Sequence, residues 1–170
     1  PRDFDAHTAE VTELIPELLQ RHVSALVLFT SWRQLNAVVA GLPKPLAEGL
    51  LVQGEGSKQA LLVEHRRRID EGQSSYLFGV ASFSEGLDLP GDYCRHVVII
   101  KLPFAVPDDP IDQAIAEWAE AQGRNPFYEI SVPDASLKLV QACGRLIRSE
   151  SDYGTISMLD KRIVTQRYGR

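Results

Sequence analysis

Three short segments carry side chains able to act on phosphate groups. Gln141-Ala142-Cys143-Gly144-Arg145-Leu146-Ile147-Arg148 reads as part of a helix, on which positions 141, 144/145 and 148 stack along one face. Gln141, Arg145 and Arg148 then point the same way. A guanidinium grips phosphate oxygens bidentately and neutralises charge in phosphoryl transfer. The plain alternative is a solvated basic face, but Gly144 is costly within a helix and implies close packing there. The second segment is Gly79-Val80-Ala81-Ser82-Phe83-Ser84-Glu85-Gly86-Leu87-Asp88-Leu89-Pro90-Gly91, a strand running into a Gly-rich acidic loop. Gly86 permits close backbone approach to a ligand. Asp88 could accept hydrogen bonds from a ribose or hold an arginine, although an ordinary turn uses the same residue types. The third segment, Leu28-Phe29-Thr30-Ser31-Trp32, places two hydroxyls between a strand end and a helix N-terminus, where side chains and backbone N–H groups can meet a phosphate. Ser31 could equally be only the cap of that helix.

Other patterns carry less. Gly54-Glu55-Gly56-Ser57-Lys58 lacks the spacing of a phosphate loop, and nothing else in the chain supplies one. His7, His22, His65 and His96 share no metal-like spacing, so no metal site is expected. Cys143 beside two arginines could be a thiol of lowered pKa, but a small helix-packing residue is the simpler reading. Asp108-Asp109 reads as a helix cap, and His65-Arg66-Arg67-Arg68 as a solvated helix face.

The elements that must position these segments alternate. Helices are predicted over residues 5–22, with Val11, Leu14, Ile15, Leu18 and Leu19 on one stripe and Pro16 as a candidate kink. Further helices follow over residues 32–42, capped by Ser31, and after Ser57, with Leu61, Leu62 and His65 or Ile69 inward. A helix over residues 134–147 has Leu137, Val140 and Cys143 or Gly144 on one side. Strands are predicted over residues 25–30, 50–53, 76–81, 96–102 and 154–159. The first is a continuous apolar run, as in a strand buried on both faces. This alternation implies an α/β fold: a doubly wound, mainly parallel sheet flanked by helices, with chemistry gathered where strands end. Residues 103–133 break the pattern with five prolines and one amphipathic helix near residues 111–122. That arm is expected to be irregular, with some of Phe104, Trp118, Phe127 and Tyr128 packed on the domain.

A chain of 170 residues, 44% hydrophobic and 24% charged, suits one domain able to bury a core without staples. Two cysteines exclude a disulfide framework and a Cys-rich zinc or iron–sulfur site within the chain. The longest apolar runs fall far short of the roughly 20 residues of a membrane span, and no secretory leader is visible. Starting at Pro1, the chain is expected to be a fragment of a longer cytoplasmic protein. The net charge of −5 argues weakly against a nucleic-acid binder, yet its distribution is uneven. Residues 103–135 hold seven acidic residues and one basic, while residues 136–170 hold seven basic and three acidic. A basic surface can therefore lie beside an acidic insertion.

In this order, the segments resemble the second RecA-like motor domain of superfamily 2 DNA helicases, most closely the C-terminal helicase domain of the DinG, XPD-like group. The resemblance covers about residues 25–169. Residues 27–32 match motif IV, residues 51–57 the segment after it, residues 82–88 motif V and residues 141–148 motif VI. Residues 102–107 and 160–162 also look like this family. The resemblance implies one RecA-like domain over residues 1–170, with residues 103–135 inserted in it. It implies ATP and Mg2+ held mainly by a first RecA-like domain of the same polypeptide. Arg145 and Arg148 would reach across to the γ-phosphate, Arg148 as the finger, and Gln141 would place the nucleotide or its attacking water. Glu85, Gly86, Asp88 and Gly144 would line the nucleotide cleft and couple it to DNA. Thr30, Ser31, Gln53 and Ser82 would touch single-stranded or forked DNA. An iron–sulfur cluster, where the family has one, sits in the first domain. The expected setting is a bacterial cytoplasm, away from membranes, in DNA repair, with this domain inactive alone. An RNA-directed superfamily 2 ATPase, or a non-catalytic module binding partners through the acidic insertion, are the competing readings.

Overall fold

The run of six residues in β1 (Ser24–Phe29) is wholly withheld from water. Successive side chains of a strand point to opposite faces. Ala25, Val27 and Phe29 therefore join one core cluster and Leu26 and Leu28 another. In the computed structural model, which describes residues 3–105 and 109–169, four further strands build outward from this one. They are β2 (Leu51–Val52), β3 (Ser75–Val80), β4 (His96–Ile99) and β5 (Thr155–Met158). All pairings are parallel, in the order β2-β3-β1-β4-β5, with Leu26 opposite both Leu77 and Val97. This is the doubly wound α/β fold expected from the alternation.

Helices cover both faces. On one side α1 (Phe4–Leu19) and α2 (Trp32–Gly41) bury Val11, Ile15, Leu35 and Val38 against Val27, Phe29 and Phe78. On the other, α4 (Lys58–Asp70) and α6 (Val132–Cys143) bury Leu61 and Ala142 against Leu26, Leu28 and Val97. Ser31 and Ser57 cap α2 and α4 by accepting from Gln34 N and Ala60 N. A short helix, α3 (Lys44–Gly49), occupies a stretch where only a stop is expected; Pro45 in its first turn suits its start. The helix α1 runs through Pro16, and its Leu14 is largely exposed rather than on the buried stripe.

The buried histidines are structural. His65 Nδ1 lies 2.8 Å from Ser75 Oγ, His96 Nε2 2.8 Å from Ser157 Oγ, and His7 Nε2 2.7 Å from the Leu159 carbonyl. Burial lowers the pKa of all three, which favours neutral rings. No group of three or more metal-ligating side chains occurs among the described residues. No described helix is long and apolar enough to cross a membrane.

Two expectations for the C-terminal half are corrected. The helix α6 ends at Cys143, not residue 147, and its buried side is Ala135, Leu139 and Ala142. Leu137 and Val140 are 58% and 68% exposed. Gly144, a poor helix former, ends α6, and tighter bonds from Arg145 N to Ala142 O and Leu146 N to Cys143 O turn the chain. Leu146, one turn beyond Ala142, is buried in the same core. In the insertion, α5 (Pro110–Ala121) is capped by Asp109, which accepts from Ile111 N; Asp108 lies outside the described residues. Phe104 and Phe127 form a cluster with Tyr168, centroids 5.3 to 5.5 Å apart. Trp118 and Tyr128 stay exposed.

The chain passes from β1 toward β3 and β2, then returns to β4 on the other side. The carboxyl ends of β1, β3 and β4 therefore flank a crevice at a topological switch point. Asp160 fixes one wall. It is buried, and it accepts from Leu102 N at 3.0 Å and from Arg162 Nη2 at 2.5 Å. Burial pushes its carboxyl up, but the bonds from Arg162 and from the Leu102 and Arg162 N–H groups outweigh that and hold it at about 2. An unfolded aspartate titrates near ~3.9, so this contribution is full above that pH and is lost as pH falls toward 2. Asp160→Asn is expected to lower stability by roughly 1–3 kcal/mol at neutral pH. The deficit should shrink between pH 5 and pH 2 in urea midpoints measured across that range.

Candidate functional site

Where β3 ends, the chain makes a short 3-10 turn (Ala81–Ser84) and enters a loop through Gly86 at φ +69. A side chain rarely adopts that conformation. The loop turns its Leu87 carbonyl toward the segment after α6. Arg145 Nη1 donates to that oxygen at 3.1 Å and Arg148 Nη2 at 2.5 Å. Arg148 Nη1 also lies 3.4 Å from Asp88 Oδ1. The two arginines expected to share a helix face do converge, but through the turn beyond α6 rather than through helical stacking. Gly144 is the C-cap of α6. A Cβ there would meet Val140 O at 3.3 Å and Gln141 O at 3.5 Å, both on the preceding turn, so the close packing against another element expected of it is absent.

Beside this cluster lies a cavity of about 340 Å³ at the strand ends, lined among others by Thr30, Ser82, Glu85, Lys101, Gln141 and Arg145. Arg145 thus faces both the cavity and the Leu87 carbonyl. Its Nε is buried and has no hydrogen-bond partner among the described residues. Ser31 and Gln53 do not line the cavity. Ser31 is occupied as the cap of α2, and Gln53 Oε1 accepts from Val80 N at 2.9 Å, extending the β2–β3 ladder. Gly86, Asp88 and Arg148 sit outside the cavity, in the adjoining arginine cluster.

Several participants carry no signal that the sequence motifs pick out. Lys101 and Lys138 add positive charge to the cavity wall. Burial, aided by Arg162, lowers the Lys101 pKa against the pull of Asp160. Asp152 accepts from Arg148 N at 2.8 Å and Ser149 N at 2.9 Å, fixing the backbone that carries Arg148. The Arg148 N–H bond leads the causes that lower the Asp152 carboxyl. The run Ser149-Glu150-Ser151-Asp152 is the signal that could have marked this turn. The His65-Arg66-Arg67-Arg68 run is not a uniformly solvated face: His65 is buried, and Arg66 donates to the Asp88 carbonyl. Burial raises the Cys143 pKa, consistent with packing rather than a reactive thiol.

Comparison with known proteins gives one family. The helicase C-terminal domain family matches residues 15–170. A relative in Photobacterium profundum, ATP-dependent DNA helicase DinG, is 48% identical over 170 residues, covering 98% of this chain and 24% of the relative. The protein of the same name in Escherichia coli (strain K12) is 38% identical over 168 residues, covering 98% of this chain and 23% of that protein. The chain spans about a quarter of the length of these curated relatives. Among solved structures, an XPD helicase aligns with TM-score 0.75 at 20% identity, covering 95% of this chain and 29% of that one. An apo XPD aligns with TM-score 0.73 at 22% identity, covering 93% and 32%. These likenesses carry the fold.

The geometry separates two kinds of polar residue. Gln53→Ala removes the acceptor for a sheet-end N–H and is expected to cost roughly 1–2 kcal/mol. Ser82→Ala, on an exposed turn, should stay within about 0.5 kcal/mol. Chemical denaturation of the two variants checks this difference.

Proposed function

The chain belongs to the helicase C-terminal domain family, and on that premise we propose that it is the second motor domain of a DinG-type, ATP-dependent DNA helicase acting in bacterial DNA repair. The observation that carries the reading is the pair of arginines, Arg145 and Arg148, held on one carbonyl of the loop after β3. That arrangement suits a charge delivered only when a second domain closes. ATP and Mg2+ would be held by a first RecA-like domain of the same polypeptide, since this sequence lacks a phosphate loop. Bound there, ATP supplies the phosphoryl group whose transfer drives the motor.

Within this chain, Arg148 is the finger, reaching the γ-phosphate as the domains close. A loose phosphoryl-transfer transition state calls for charge stabilisation more than covalent chemistry. Arg145, which lines the cavity, steadies the same phosphate, and Gln141 in the cavity wall orients the nucleotide or its attacking water. When Arg148 leaves Leu87 O and Asp88 for phosphate, the loop at residues 85–88 loses two of its bonds. That exchange couples nucleotide state to the cavity, where Thr30, Ser82 and Lys101 meet the backbone of single-stranded or forked DNA. Ser31 and Gln53 act at the cavity's margin by holding α2 and β3 in place. The acidic insertion is a poor DNA surface, because neutralised phosphates supply most nucleic-acid affinity. Any iron–sulfur cluster of the parent protein would be held outside this chain, whose two cysteines, Cys94 and Cys143, are buried and half-buried.

In the full-length protein, Arg148→Ala is expected to lower steady-state ATPase on single-stranded DNA by about 10³–10⁵ while DNA binding persists. Turnover within a few-fold of the parent, with unchanged thermal melting, would reassign the finger to Arg145 or remove the cross-domain mechanism. This chain alone should bind ATP weakly or not at all by calorimetry; tight binding would contradict a half-site.

A further inference from the structure

The helix α4 meets the loop after β3 with side chains spaced along one face. Lys58 Nζ donates to the Glu85 carbonyl, and Arg66 Nη2 donates to the Asp88 carbonyl. His65 Nε2 lies 2.7 Å from Tyr93 O, and Asp70 accepts from the Tyr93 hydroxyl at 2.6 Å. Positions 58, 65, 66 and 70 fall within one side of a helix, so α4 grips the loop from Glu85 to Tyr93 at several points.

Arg66 is distinct among them. Its Nη2 lies 4.0 Å from Asp88 Oδ2, while Arg148 Nη1 lies 3.4 Å from Asp88 Oδ1. One carboxylate is straddled by two guanidinium groups, and a guanidinium keeps its charge at any working pH. The Arg66 Cζ also lies 5.7 Å from the centroid of the Tyr93 ring, which steadies the side chain from below. Arg66 belongs to none of the segments assigned to nucleotide or DNA.

We propose that Arg66 is a positioning residue for Arg148: it fixes the main chain and carboxylate of Asp88, and with them the perch from which Arg148 departs. The proposal rests on the reading of Arg148 as the finger. With Arg66 removed, the Leu87–Asp88 segment loses its tie to α4, and the docking point of Arg148 moves with it. A displacement of about 1 Å in a catalytic group can cost up to ~10²-fold in rate.

The experiment uses the full-length protein, with steady-state ATPase on single-stranded DNA and thermal melting for each variant. Arg66→Ala should lower kcat about tenfold with the KM for ATP within about twofold of the parent. Arg66→Lys, which keeps the charge and a donor, should recover most of kcat. Arg67→Ala is the control for general stability, because Arg67 spends its donors on Glu64 in α4 and on its C-cap Glu71; its kcat should match the parent. If Arg66→Ala does not fold, Arg66→Gln takes its place with the same expectation. If Arg148→Ala abolishes turnover but folded Arg66→Ala or Arg66→Gln turns over within about twofold of the parent, the proposal is overturned and the finger stands. Equal losses in Arg66→Ala, Arg66→Lys and Arg67→Ala would also overturn it, as a general effect of the helix. If Arg148→Ala keeps its turnover, the finger reading itself falls, and Arg66 with it.

Discussion

A parallel strand buried on every side imposes the arrangement of everything around it. The polar backbone of β1 must be matched on both edges, by β3 and β4, and its side chains must be covered on both faces by helices. Because all five strands run the same way, every return connection crosses a face, and every strand releases its chain at the same end of the sheet. Thr30, the turn at Ala81–Ser84 and Lys101 are neighbours for that reason alone. The glycine at position 79 shows how tightly this end is built. A Cβ there would fall 2.6 Å from Phe83, so the turn leaving β3 packs directly against the strand it leaves.

Magnitudes decide which contacts hold the arginine cluster. Asp88 is 68% exposed and Arg148 about a third exposed, so their ion pair is worth about 0.2–1 kcal/mol at most. Hydrogen bonds from charged donors contribute roughly 1.5–3 kcal/mol each, and the Leu87 carbonyl accepts two of them. The main chain of the loop, not the carboxylate, is the principal anchor. A carbonyl suits this task because its negative end is fixed by the fold, whereas a carboxylate side chain can swing away. It also holds cations without neutralising them, which leaves their charge available to another anion.

Much of this is legible in the sequence, and the exceptions have separate physical causes. The strands, the caps at Ser31 and Ser57 and the parallel order follow from local patterns, although only β1, β2 and β4 are buried along their whole length and β5 is partly covered. The meeting of Arg145 and Arg148 with the Asp88 loop is legible too, though on a helical spacing that the chain does not adopt there. Gly144 is the reason. Its low helix propensity suggests close packing, whereas in the fold it marks an ending. Leu137 and Val140 mislead because apolar periodicity does not say which of two stripes faces the core; Ala135, Leu139 and Ala142 face it, two of them small enough to let α6 approach the sheet. The bonds that Arg66 and Gln53 make are invisible for another reason. Each bonds main-chain atoms more than 20 residues away, and no local pattern encodes a partner of that kind.

The acidic insertion lies between β4 and β5, two strands that pair directly with each other. One end leaves β4 and the other enters α6, and the segment bearing Arg145 and Arg148 lies between α6 and β5. The entropy of closing such a loop grows only with the logarithm of its length, about 0.6 kcal/mol for each doubling. The exposed turn over residues 122–125, after α5, can therefore lengthen or change composition at little thermodynamic cost, whereas Phe104 and Phe127 are tied to Tyr168. The arm is a place where a lineage can acquire new surface while the motor's geometry stays under the control of the strands on either side.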